Sequence, residues 1–263
     1  MILPTTKHTR NIHEVTCQSG QEFLLISDLH WDNPHCDRGL LTNHLKEAQR
    51  RNAGVIVNGD FFCLMQGKGD PRRSKEDIRP EHNNARYLDS IVNTAVEWFA
   101  PYAKNLLLVG YGNHETSIIH HQETDILQRF ASTLNYATGS AVEVGGYGGT
   151  IDIRVLHDAI RGVNFVVHYY HGAGGGGPVT KGSSKTNGYL QAPKATTSHG
   201  WAMSMSYTTT KTSSTAMTAR PKHSFKNLFT NLGRRLTRRN GTAATWAFIL
   251  NEEEARSLWA DIG

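Results

Sequence analysis

Five short runs of apolar, mostly branched residues mark the first two thirds of the chain: FLLIS (23–27), VIVN (55–58), LLLVG (106–110), IDIRV (151–155) and VNFVV (163–167). Each is bounded by Gly, Asp or His, and runs of this length between turn formers predict buried strands. Between them the spacing changes. Leu40, Leu41, Leu45 and Ala48 recur at helical intervals, as do Tyr87, Leu88, Ile91, Val92, Ala95, Val96 and Phe99 over a longer stretch. A helix is expected at each place. Strands alternating with helices predict an α/β chain: a layered β-sheet sandwich flanked by helices. The polar stretch 67–82, with Pro71 and Pro80, reads as a surface loop or lid.

After about residue 187 the pattern fades. Residues 188–263 contain 19 Ser/Thr, no five-residue strand pattern, and only a weak helical spacing at Phe225, Leu228, Leu232 and Leu236. The expected division is a domain over 1–187 and an atypical, disordered basic tail over 188–263. Charge sharpens that division. The tail holds 10 Lys/Arg against 4 Asp/Glu, whereas 1–187 holds 18 against 19, so the whole chain's +5 belongs to the tail. The body is not basic.

Composition excludes some classes. No apolar run approaches the roughly 18–20 residues that span a bilayer, so no membrane partner is expected. The opening MILPTTKHTRNIHEV lacks an apolar core and a small-residue cleavage site and reads as no signal peptide. Three cysteines (Cys17, Cys36, Cys63) without CxxC spacing argue against a disulfide framework or zinc knuckle. The expected location is the cytoplasm.

The chemistry-bearing residues follow the first three strands. Asp28-Leu29-His30 comes after FLLIS, Asn58-Gly59-Asp60 after VIV, and Gly112-Asn113-His114-Glu115 after LLLVGY. In open α/β sheets, ligands sit beyond the carboxyl ends of strands, so these blocks are expected to converge. Carboxylate oxygen, imidazole and amide carbonyl make a mixed donor set suited to Mn, Fe, Zn or similar divalent ions. An extended chain would project Asp28 and His30 to one side.

In order and spacing, these blocks resemble those of the calcineurin-like metallophosphoesterase superfamily, whose pattern is D-x-H, G-D, G-N-H-D/E, H, then G-H-x-H. Asp60 lies about 30 residues after Asp28, and Asn113 about 50 further on. The resemblance covers 23–187 and implies two divalent metal ions. Asp28 and His30 would bind the first, Asn113 and His171 the second, and Asp60 would bridge both. The fourth block is a choice between His171, at the end of VNFVVHYYHG, and His168 within it. His114 would meet the substrate as general acid or as stabiliser of the leaving oxygen. The implied activity is hydrolysis of a phosphodiester or phosphomonoester by metal-activated water. Gly59-Asp60-Phe61-Phe62-Cys63 departs from the G-D-x-V-D-R-G of protein phosphatases. A nuclease or small-molecule phosphodiesterase is the better expectation, so a nucleic acid or nucleotide is the expected substrate partner.

Other motifs carry less. HGAGGGGPVTKG (171–182) lacks the Gly-Lys-Ser/Thr ending of a phosphate loop, so its glycines read as a rim or a backbone approach to substrate. His35, Cys36 and Asp37 could shape the mouth of the site. His120 and His121 read as solvated, and Trp31 as packing.

The family's G-H-x-H block is absent, which would cost each metal a ligand and impair activity. Codons suggest a cause. Trp201 to Ser206 can be written TGG GCN ATG TCN ATG AGY, which two bases later permits Gly-His-Val-His-Glu. Residues 188–263 then read as out-of-frame translation. The rival functional class is a catalytically dead binding module whose basic tail grips nucleic acid.

Overall fold

In β3 (Phe23–Ile26) all four side chains are buried, and they alternate between two apolar layers. Phe23 and Leu25 join a cluster with Val15, Cys17, Ile151, Ile153, Val155 and Val167, whereas Leu24 and Ile26 join one that includes Leu41, Leu45, Ile91 and Phe130. The period-2 pleat therefore puts a second sheet on one face and helices on the other. The computed structural model describes residues 5–64, 66, 73–74, 76–156 and 162–172, and the strands at 202–210 and 248–250 by their backbone.

The sheet containing β3 continues through β4 (Gly54–Val57), β5 (Leu106–Val109) and β6 (Glu143–Val144), all parallel. A helix fills each crossover: α1 (Arg38–Arg50), α2 (Tyr87–Phe99), and the pair α3 (Asn113–Gln122) and α4 (Ile126–Thr138). Sequential parallel strands joined by right-handed crossovers stack their helices on one face, which agrees with the layer assignment above. In β5 the pairing slips next to Val55, and adjacent Leu107 and Leu108 both reach the sheet–sheet layer. On the far edge β10 (Phe248–Leu250) pairs antiparallel with β3.

The second sheet runs β1 (Thr6–Thr9), β2 (Ile12–Gln18), β7 (Gly148–Leu156), β8 (Gly162–Tyr170) and β9 (Ala202–Thr210). Only β2 with β7 is parallel. The chain is thus α/β, with two mixed sheets and helices. All five expected strands and both expected helices form. The absence of a strand pattern past 187 is corrected: AMSMSYTTT (202–210) pairs along its whole length with β8, its Tyr and Thr suiting a pleated backbone. The weak helical spacing at 225–236 and the glycine run beyond Gly172 lie outside the described residues. Among those described, no helix is long and apolar enough to cross a membrane.

Candidate metal centre

Three parallel strands end side by side, and the loops after them stay zipped together. Asn58 N–H donates to Ile26 O, Asp28 N–H to Gly59 O, His30 N–H to Asp60 O, and Trp31 N–H to Phe61 O. The β3–β4 ladder therefore continues into the loops, although the chain there is not extended. Asp28, His30 and Asp60 all take left-handed backbone, with φ of 55°, 42° and 48°. This corrects the expectation of an extended D-x-H segment: turns, not a pleat, bring Asp28 and His30 to one side. Such conformations cost about 1–3 kcal/mol each and persist only where the surroundings hold them.

The surroundings do hold them. Phe61 and Phe62 are fully buried, and the Phe61 ring lies 4.8 Å from those of Phe99 and Phe130. Buried Asp32 accepts the N–H of Cys63 at 2.5 Å and that of Leu64 at 2.9 Å. Buried Glu115 accepts the N–H of Phe62 and, with its other oxygen, that of Gly112, both at 2.8 Å. Burial first, then the nearby Asp60 charge, pushes the Glu115 carboxyl up to about 8.

Asp60 is the hinge of the site. Its Oδ1 accepts the N–H of His114 at 3.1 Å, so it caps the start of α3 in place of Gly112, which has no side chain to do so. Its Oδ2 lies 3.2 Å from His171 Nε2, 3.7 Å from His30 Nε2 and 3.9 Å from His114 Nε2. The motif glycines follow from this crowding. A Cβ on Gly112 would fall 2.0 Å from Asp60 Oδ1, and one on Gly59 would fall 2.3 Å from His171 Nδ1, with φ there at +74°.

The histidines are oriented from behind. His171 Nδ1 faces the Asn58 carbonyl at 3.0 Å, which leaves Nε2 for Asp60 or an ion. His114 Nδ1 is likewise held by the Cys63 carbonyl. His30 Nδ1 is buried with no hydrogen-bond partner. Burial opposes ionisation of Asp60, but the His171 hydrogen bond and charge prevail and hold it at about 2. Burial likewise disfavours the His171 cation, yet Asp60 wins and lifts it to about 9. Asp28 is shifted upward, chiefly by burial.

Two groups of potential ligands result, each with its ligand atoms within 4.8 Å of one another: Asp28, Asp60 and His171, and His30, Cys63 and His114. Five expected site residues (Asp28, His30, Asp60, His114 and His171) converge. His168 does not: it is exposed on β8, with its ring nitrogen 3.1 Å from Thr150 Oγ1. Asn113 is the exposed first residue of α3, one position before His114. Trp31 is 1% exposed, packed among Phe62, His82, Trp98 and Phe99 with the Arg38 guanidinium stacked on it. Asp37 caps α1, and His120 and His121 are exposed in the last turn of α3. Sequence reasoning missed Asp32 and Cys63, and it gave Asn58 no role of its own. Only the placement of Cys63 directly behind a strand-end carboxylate block could have signalled it. No family model, curated protein or solved structure matches this chain.

Proposed function

We propose that this chain is a metal-dependent phosphoesterase of the calcineurin-like kind, acting on a phosphodiester or phosphomonoester, with nucleic acids or nucleotides as the favoured class. The observation that carries the reading is Asp60: one carboxylate oxygen lies within 3.9 Å of imidazole nitrogens from three separate chain segments. A buried carboxylate surrounded by imidazoles from three segments offers the mixed oxygen and nitrogen donors that a divalent cation takes.

The donor set fits two divalent ions of the Mn, Fe or Zn kind, since it offers carboxylate oxygen and back-oriented imidazole. By the resemblance, Asp28 and His30 would hold one, His171 and Asn113 the other, and Asp60 both, whereas in this structure Asp28 stands with His171, His30 stands with His114, and Asn113 is exposed. When bound, such ions neutralise phosphate charge and lower the pKa of water. The remaining work falls to the chain. Cys63 O fixes His114 Nδ1, so the opposite nitrogen faces the site and is positioned to protonate the departing oxygen. Asn58 keeps His171 aimed at Asp60. The missing last block leaves each ion one protein ligand short, so affinity and turnover are expected to be low.

The test is hydrolysis of bis-nitrophenyl phosphate, single-stranded DNA and a phosphopeptide with added manganese, comparing the chain with Asp60→Asn. Metal-dependent turnover lost in Asp60→Asn supports the reading, and its absence on all three substrates removes it. The excess positive charge past residue 187 favours one rival, a binding module. A salt-steep DNA shift that Asp60→Asn leaves intact, without hydrolysis by either protein, would be its signature.

A further inference from the structure

We propose that His30, Cys63 and His114 form a site for a thiophilic divalent cation of the zinc class, with Asp60 as the fourth donor and the one residue shared with the Asp28, Asp60 and His171 side. In a tetrahedral zinc site with bonds of about 2.0–2.3 Å, neighbouring donors stand roughly 3.3–3.6 Å apart. His30 Nε2 and His114 Nε2 already lie 3.7 and 3.9 Å from Asp60 Oδ2. The sulfur and the two imidazoles fall within 4.8 Å of one another, so a closure of about 1 Å through side-chain rotation brings these three donors to tetrahedral spacing.

The groups behind these donors are arranged for the same end. The Cys63 backbone is pinned by Asp32, which accepts its N–H at 2.5 Å, so the sulfur starts from a fixed position. Asn33 Nδ2 donates to Cys63 Sγ at 3.2 Å, the kind of outer contact that supports a metal-bound sulfur. The Cys63 carbonyl holds one nitrogen of His114 and turns the other toward the cluster. The two imidazole rings meet edge to face with centroids 4.8 Å apart, close enough to share one ion. Thiolate is the donor that separates zinc-class ions from manganese or magnesium, which prefer oxygen. On binding, the thiol proton passes to buffer.

The binding claim stands without any catalytic reading. Its consequence for activity rests on the phosphoesterase reading: occupancy would draw His30 and His114 away from that chemistry, making zinc an inhibitor of manganese-supported turnover.

The experiment uses the full chain. Cobalt(II) is titrated into metal-free protein while the near-ultraviolet thiolate-to-cobalt charge-transfer band is followed. The band is expected in the unmodified chain and in Cys17→Ser and Cys36→Ser. In Cys63→Ser it should be lost, with cobalt binding on this side weakened by at least about tenfold. A band that survives in Cys63→Ser overturns the site. Because that variant could misfold, X-ray absorption of the unmodified chain with one equivalent of zinc gives an independent answer. One sulfur at about 2.3 Å beside nitrogen and oxygen supports the site. A shell of nitrogen and oxygen alone overturns it and leaves the phosphoesterase reading standing.

Discussion

The two sides of Asp60 are built from different parts of the molecule and different chemistry. On one side stand Asp28 and His171, a carboxylate and an imidazole, and His171 arrives from the end of β8 in the second sheet. On the other stand His30 and Cys63, on loops that follow strands of the first sheet, and His114, in the first turn of α3. The first side exists only while the two sheets stay in register across their shared apolar layer. The second needs only the zipped loops after β3 and β4 and the start of α3. A single carboxylate thus borders an oxygen-rich side and a sulfur-containing side at once. Any change at Asp60 should damage both, whereas changes elsewhere should separate them.

The largest effect is expected at Asp60 itself. Asp60→Asn keeps an oxygen to cap α3 through the His114 N–H but loses the charge that gathers the histidines. Manganese and cobalt binding should each fall by about a hundredfold or more, since even outer-shell losses cost 10–100-fold. Asp60→Ala should in addition lose about 1 kcal/mol of stability with the cap. Calorimetric metal titration beside thermal unfolding separates the two outcomes. If Asp60→Asn retains full affinity on either side, the shared-hinge picture fails.

A smaller effect distinguishes the sides by pH. His171 is lifted from 6.5 to about 9, so its contribution is complete below 6.5 and disappears as pH rises through 9. Glu115, raised to about 8, favours the folded state in its neutral form and acts in the same direction, losing its contribution between about 4.5 and 8. Asp60 acts in reverse, contributing above 3.8 and losing that contribution as pH falls toward about 2. Metal-free protein should therefore lose stability from pH 6.5 to 9. Burial keeps the Cys63 thiol neutral over that range by raising it to about 12, so the thiol itself adds no slope. His171→Gln should flatten the profile between 6.5 and 9, leaving the part due to Glu115. An unchanged profile in thermal unfolding across that window would break the assignment.

Much of this was legible in the residues. Short branched runs ending in Asp or Gly located β3, β4 and β5, because buried parallel strands need continuous apolar sequence. The blocks after them named Asp28, His30, Asp60 and His114. The route by which they meet was not legible. Left-handed backbone at three non-glycine residues is a product of tertiary restraint by Asp32, Glu115 and the Phe61–Phe62 anchor, none of which has a local signal. Helix α3 went unforeseen for a related reason: it is short, and two polar contacts, Asp60 to His114 and Glu115 to Gly112, start it instead of a strong apolar stripe. Helix α4 was legible but not read, since Ile126, Leu127, Phe130, Ala131 and Leu134 recur at helical spacing between the Asp125 cap and Gly139. Strand β9 was missed because its Ser and Thr residues mask a pleated pattern that only its pairing with β8 reveals.

The smallest expected effect tests the choice between two histidines three residues apart. Along β8, Val167 and Tyr169 are 0% and 2% exposed, while His168 is exposed. Side chains alternate on a strand, so the inward parity of 167 and 169 continues to 171 as the chain leaves the sheet. The His171 N–H bonds to Tyr147 O and keeps that residue in line with the strand end, where its ring meets Asp60. The parity of 168 sends it to the opposite face, where Thr150 is its partner. His168→Ala should then change stability by no more than about 0.5 kcal/mol, as surface substitutions do, and leave manganese affinity as it was. His171→Ala should lose the Asp28 side while the cobalt–thiolate band at Cys63 persists. If His168→Ala weakens manganese binding, the pleat parity has been read the wrong way round, and with it the claim that the second sheet contributes its ligand through residue 171.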